Sequence, residues 1–267
     1  MGRFHRHEDG TEHSHDHTHD HDHPHEHEHE HGDHSGYATG GERIEILEAI
    51  FSENDSRAAV NRKAFEDNGV RVLNLMSSPG SGKTTVLAAT LDALAGEVSI
   101  GIIEGDIATD IDAARLGGRG AQISLLNTSN GFGGECHLDA PMVGRALAAL
   151  DLAPLDLVVV ENVGNLVCPA EFDVGEHAKA MVYSVTEGED KPLKYPVMFR
   201  AVDVVLLNKI DLIPHLDADV DAYLASIREV NPAATVLPVS ARTGAGMGAW
   251  FDWLRRFTGP IERTSLT

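Results

Sequence analysis

The sequence predicts an α/β fold, a three-layer sandwich in which helices cover both faces of a mostly parallel sheet. Three observations carry that reading. From Val70 onward, short apolar runs alternate with amphipathic stretches, the order that builds consecutive βα units. The chain is long enough to bury a full core and, allowing for a tail, fits one domain of about 200 residues. The loops able to carry chemistry all follow strands, where open α/β sheets bind their ligands.

Taken in order, strands are expected at Val70–Met76, Val98–Ile103, Gln122–Leu126, Leu155–Val160, Ala180–Val185, Val202–Leu207 and Thr235–Val239. Helices are expected at Gly82–Leu94, Ile111–Leu116, Pro141–Leu150, Ala218–Glu229 and Met247–Phe257. Ahead of the first strand, two short helices are predicted around Ile44–Phe51 and Ser56–Asp67, with Asp55 as an N-cap and Gly69 as a stop. Their apolar positions Leu47, Ile50, Val60 and Phe65 are expected to pack on the sheet domain. The chain thus divides into a tail (1–40), N-terminal helices (41–69), a nucleotide-binding domain (70–258) and a short C-terminal tail (259–267).

The chain has 267 residues and a formal net charge of −21, which disfavours a nucleic-acid partner because phosphate backbones attract basic surfaces. No apolar run approaches the roughly 18 residues of a membrane span and no leader pattern is evident, so a soluble, cytoplasmic protein is expected. The only cysteines are Cys136 and Cys168. A disulfide scaffold is excluded, leaving thiols or metal ligands.

Residues 1–36 hold 13 of the 16 histidines. His13, His15, His17, His19, His21, His23, His25, His27, His29 and His31 stand at alternate positions, mostly interleaved with Asp and Glu. Such a segment has too little to bury to offset its ordering entropy and is expected to be disordered. Imidazole with carboxylate suits Ni²⁺, Zn²⁺ or Cu²⁺, so metal holding is the expected role, with a solvated spacer as the alternative.

The stretch Ser77-Ser78-Pro79-Gly80-Ser81-Gly82-Lys83-Thr84-Thr85 joins a predicted strand to a predicted helix. This is most of a P-loop: backbone N–H groups cradle phosphates, Lys83 reaches the terminal phosphates, and Thr84 binds Mg²⁺. The fold is therefore of the P-loop NTPase type. Ser77 replaces the usual first glycine, so the turn must form there without a positive φ. Glu104-Gly105-Asp106 follows the second strand, and Asp106 is a candidate for Mg²⁺, directly or through water. Glu161-Asn162-Val163-Gly164 follows the fourth, with Glu161 near Mg²⁺ and Gly164 a γ-phosphate sensor. Asn208-Lys209-Ile210-Asp211 is the purine signal, because Asp211 can accept two hydrogen bonds from guanine and none from adenine. Ser240-Ala241-Arg242 supplies a second base loop, which makes the nucleotide GTP or GDP.

Cys136, His137 and Cys168 form a soft donor set. Cys168 lies four residues beyond Gly164, and Cys136 ends a glycine-rich loop, so a metal there would feel the nucleotide. Three ligands within one chain, or a site shared by two chains, are both consistent with these residues. Imidazole and thiolate alone leave Ni²⁺ and Zn²⁺ open.

Together these motifs, from about Arg43 to Phe257, resemble the nickel-insertion GTPases of NiFe-hydrogenase maturation, metallochaperones in the class that includes the urease accessory GTPase. The resemblance rests on Ser-Ser-Pro-Gly-Ser-Gly-Lys-Thr-Thr, Glu-Gly-Asp, Cys136-His137, Glu-Asn-Val-Gly-Asn-Leu-Val-Cys168-Pro and Asn-Lys-Ile-Asp. Ser77 in place of glycine is typical of that family. The urease relative usually carries Cys-Pro-His instead and lacks Cys168 in this context. Some members carry an N-terminal Cys-x-x-Cys-Gly-Cys nickel site, and here no cysteine precedes Cys136. The resemblance implies a GTP-dependent homodimer, slow in intrinsic turnover, that delivers nickel to the hydrogenase large-subunit precursor with a small zinc-containing accessory protein. Competing readings are a nickel or zinc store with an accessory GTPase core, a urease-type inserter, and a small-molecule kinase, which has no use for Asn-Lys-Ile-Asp.

Overall fold

The computed structural model describes residues 40–105, 116–126, 137–165 and 167–259, and from Ile44 onward they belong to one compact unit. The histidine tail, Asp106, Cys136 and most of the helix expected at Ile111–Leu116 lie outside the described residues.

Among the described residues, seven strands stand where the apolar runs predicted them: β1 (Arg71–Ser77), β2 (Ile100–Glu104), β3 (Gln122–Leu125), β4 (Leu157–Glu161), β5 (Ala178–Ser184), β6 (Val204–Asn208) and β7 (Thr235–Pro238). They form one sheet in the order β3-β2-β4-β1-β5-β6-β7, and every pairing is parallel. A parallel sheet needs cover on both faces, which is why β2, β4 and β6 are buried throughout and read as unbroken apolar runs. Alternate residues of β1 show the two faces. Leu73 and Leu75 meet α2 (Lys83–Ala93) and the C-terminal helix Met247–Phe257, while Val72 packs with Phe65 and Val143 on the opposite side. On that second face, Met76, Met181, Tyr183 and Val205 pack with Phe199, Tyr223 and Ile227.

The N-terminal region differs from expectation. The two short helices are a single helix, α1 (Gly40–Asn68), that runs through the polar stretch Ser52–Ser56. Asp55 is therefore no N-cap. Polarity there reflects tertiary bonds: Asn54 is buried, its Nδ2 donates to the Asp173 carbonyl at 2.8 Å, and its Oδ1 accepts from the Ala140 N–H at 2.9 Å. Ser56 satisfies its hydroxyl on the Ser52 carbonyl within the helix. Phe65 packs into the core as expected, but Ile50 and Val60 are 48% and 63% exposed, because the buried stripe of α1 passes through Asn54, Ala58, Asn61 and Phe65 instead. Gly69 ends the helix as predicted, its N–H returning to Glu66 and that of Val70 to Phe65.

Helix α3 (Ala140–Leu147) is capped by Asp139, which accepts from the Met142 N–H at 2.7 Å. The short helices α4 (Cys168–Glu171), α5 (Lys191–Lys194) and α6 (Pro196–Arg200) have too few turns to show a period in sequence. Helices α7 (Val220–Val230) and α8 (Met247–Phe257) complete the cover. Buried Trp250 is tied to α2 by its indole N–H on the Thr90 hydroxyl at 2.9 Å.

Candidate nucleotide and metal site

The ends of β1, β4, β6 and β7 bring the predicted motifs to one edge of the sheet. The loop Ser77–Gly82 forms without a positive φ at Ser77: among its residues only Gly80 (φ 73°) and Gly82 (φ 100°) are left-handed. Gly82 is also needed for space, since a Cβ there would stand 2.6 Å from the Asn208 amide. That amide donates to the Ser81 carbonyl at 2.9 Å, and Lys209 Nζ reaches the Gly80 carbonyl at 2.7 Å. Lys209 holds φ 64°, the one positive value among described non-glycine residues, a strained backbone kept by these bonds. The base motif therefore also fastens the phosphate loop. Ser78 is anchored separately, its hydroxyl donating to the Glu187 carboxylate.

Asn208, Lys209, Asp211, Leu212, Ala241 and Arg242, with Gly82 and Thr85, line a cavity of about 550 Å³. Ser240 donates to Asp211 Oδ1 at 2.7 Å, and Ala241 donates to Asn208 Oδ1 at 3.1 Å, so the two base loops hold each other in place. A carboxylate oriented this way can accept from two adjacent N–H groups of a planar base.

On the phosphate side, Thr84 donates to Glu161 Oε1 at 3.0 Å, and Lys83 Nζ lies 3.8 Å from the same oxygen. Glu161 is fully buried, and its Oε2 has no hydrogen-bond partner among the described residues. Directly across the β2–β4 pairing stands Glu104, 5% exposed. Glu161 and Glu104 are buried carboxylates at paired positions of neighbouring strands, and with the Thr84 hydroxyl on Glu161 they are oxygen donors of the kind that suits a hard divalent cation. Sequence reasoning quoted Glu104 within the Glu104–Asp106 loop but singled out Asp106, which lies outside the described residues. The signal at Glu104 was a carboxylate closing an otherwise apolar strand. Glu187, far away in sequence, carried no such signal.

Gly164 lies against the phosphate loop. A Cβ at this position would come within 3.2 Å of Pro79 Cα and 3.3 Å of Pro79 N, so only glycine allows this approach without displacement. Just before it, Asn162 is buried and hydrogen-bonded to Asn74 Oδ1 through Nδ2 at 3.2 Å. Asn74 in turn approaches Glu176 at 3.5 Å. Burial pushes the Glu176 carboxyl above its ordinary value, and the Lys179 ammonium 3.3 Å away works against that shift.

Of the proposed soft ligands, His137 and Cys168 are described and half-buried. The His137 ring stacks on Phe172 at 4.0 Å, and Phe172 meets Phe51 of α1 at 5.2 Å. Phe172 directly follows α4, which begins at Cys168, so the ring supporting His137 is carried by the cysteine's own segment. Among the described residues no three His, Cys, Asp or Glu side chains are grouped to hold a metal.

Residues 71–238 match the family model described as the CobW/HypB/UreG nucleotide-binding domain. The chain is 52% identical over 223 residues to the hydrogenase maturation factor HypB of Azotobacter vinelandii, covering 84% of this chain and 72% of that protein. The chain belongs to the HypB family. The Escherichia coli K12 HypB is 47% identical over 226 residues, covering 84% of this chain and 77% of its own length. A solved HypB from Helicobacter pylori, in complex with nickel, superposes with a TM-score of 0.72 at 33% identity, covering 77% of this chain and 95% of that one. No helix among the described residues is long and apolar enough to cross a membrane.

Proposed function

We propose that this HypB-family chain is a GTP-hydrolysing nickel metallochaperone that holds nickel and delivers it to the NiFe-hydrogenase large-subunit precursor. The observation that supports the proposal is the seating of Gly164 on Pro79, because Gly164 stands four residues before Cys168 in the chain. In this reading the cavity at Asp211 takes the guanine, Gly80 to Thr85 take the phosphates, and Gly164 registers the terminal one. Thr84, Glu161, Asp106 and the neighbouring Glu104 hold Mg²⁺, which supplies charge neutralisation at the phosphates. Cys136, His137 and Cys168 hold the nickel in transit, and the nickel complex of the Helicobacter pylori relative supports that cargo over zinc. The tail histidines hold further nickel. Slow turnover without a partner is part of the proposal, as no arginine finger or water-orienting residue is identified among the described residues. A cytoplasmic homodimer working with a small zinc-containing accessory protein completes the proposal.

The test is Ni²⁺ binding to a chain lacking residues 1–36, with GDP and with a GTP analogue. Cys136→Ala and Cys168→Ala are expected to weaken binding and remove its dependence on the nucleotide. Unchanged binding with unchanged dependence overturns the hand-off.

A further inference from the structure

We infer that Asn162 is the positioning residue through which the nucleotide loops set the geometry at His137. The inference rests on the metal hand-off proposed above and names the part that transmits it. Asn162 Oδ1 accepts from two N–H groups: that of Val163 at 2.9 Å and that of Leu138 at 3.0 Å, 24 residues away in sequence. The first bond ties the side chain to the Asn162–Val163 peptide, one residue ahead of the peptide that enters Gly164. The second holds the residue immediately after His137. Its Nδ2 is pinned to Asn74 in the central strand, so the side chain is constrained at both ends in a site closed to water.

Leu138 is the meeting point for the other phosphate-side loop as well. A Cβ on Gly105 would fall 2.5 Å from Leu138 Cδ1, and the Gly105 N–H donates to the Glu161 carbonyl at 3.0 Å. The chain leaving β2 and the chain leaving β4 therefore both bear on one fully buried leucine. A close-packed contact of this kind transmits displacement, because neither partner has space to yield. Displacement of Gly164 by a γ-phosphate passes back through Val163 to the Asn162–Val163 peptide, whose N–H is bonded to the Asn162 side chain. Leu138 then moves, and the His137 ring shifts on Phe172.

The test compares Ni²⁺ affinity of the GDP and GTP-analogue forms in the wild type, Asn162→Ala and Asn162→Asp, each lacking residues 1–36 so that the tail does not mask the site. Nucleotide affinity is measured alongside. In Asn162→Ala the ratio of the two Ni²⁺ affinities is expected to fall to within about twofold of one, with nucleotide affinity within about threefold of wild type. Asn162→Asp keeps the Oδ1 acceptor but replaces the Nδ2 donor to Asn74 with a buried charge, so it is expected to lose the ratio as Asn162→Ala does. An Asn162→Ala ratio equal to wild type overturns the inference and leaves the hand-off standing. A wild type with one Ni²⁺ affinity in both states overturns the hand-off and this inference with it. Amide hydrogen exchange on the wild type gives an answer that needs no variant. Leu138 and Val163 protection is expected to change together between the two nucleotide forms, and a change at Val163 with none at Leu138 also overturns the inference.

Discussion

At the residue scale, Asp211 is the carboxylate proposed to select the base. Its Oδ1 is held by Ser240 at 2.7 Å, so the group meets a base already oriented. Two hydrogen bonds to a charged acceptor contribute about 1.5–3 kcal/mol each. Replacing the carboxylate by an amide removes the charge and one acceptor. Asp211→Asn is expected to weaken GTP and GDP binding by about 100-fold or more, while ATP binding stays weak in both proteins. Fluorescent-nucleotide titration checks this, and an unchanged GTP affinity would show that the base sits elsewhere. Asp211 was legible in sequence because its role depends on a short spacing within one loop. Glu104 and Asn162 were less so, since their importance comes from what lies across the sheet.

At the scale of elements, α1 is where local reading and packing part company. Ser52 to Ser56 reads as a break because Ser, Asn and Asp favour caps and turns over helix interiors. The helix continues because Asn54 bonds two segments at once, the Asp173 carbonyl and the Ala140 N–H. Asn54→Leu improves local helix propensity yet leaves both groups without their partner. A loss of about 2–4 kcal/mol is expected in urea denaturation, at roughly 1–3 kcal/mol per buried group deprived of its bond. A neutral or stabilised variant would mean that those groups find other partners.

The β1–β5 junction carries a pH dependence of its own. His177 Nδ1 accepts from the Val72 N–H at 3.0 Å, which requires the neutral ring. Burial, then the Arg71 guanidinium, hold its pKa below the ordinary value; Arg62 adds to this and Glu66 opposes it. The native state therefore binds fewer protons than the unfolded chain below about pH 6.5. The stability associated with the neutral ring is complete above that pH and is lost as pH falls toward the lowered native value. His177→Gln, which cannot titrate, is expected to flatten the change in unfolding free energy between pH 7.5 and 5.5. Equal slopes in the two proteins would assign the acid sensitivity to other groups.

At the scale of the whole molecule, the histidine tail and the nucleotide-binding unit are expected to do separable work. Deleting residues 1–36 removes 13 of the 16 histidines and none of the residues lining the nucleotide cavity. GTP hydrolysis should survive within about twofold while Ni²⁺ capacity falls by several equivalents per chain, measured by equilibrium dialysis at pH 7.5. The tail's capacity should also vanish near pH 5, where imidazoles are protonated. Loss of hydrolysis on deletion would make the tail part of the catalytic unit. The sequence by itself determined the seven strands, the α/β class and the order of the nucleotide motifs. These depend on hydrophobic period and on spacing within short loops, both of which are local. Only the tertiary structure decided that α1 is one helix, that Glu104 faces Glu161, that Gly164 sits on Pro79, and that Asn162 joins Leu138 to Val163. Each depends on contacts between distant segments, buried hydrogen bonds at Asn54 and Asn162 and close packing at Gly164, which no single stretch of chain contains.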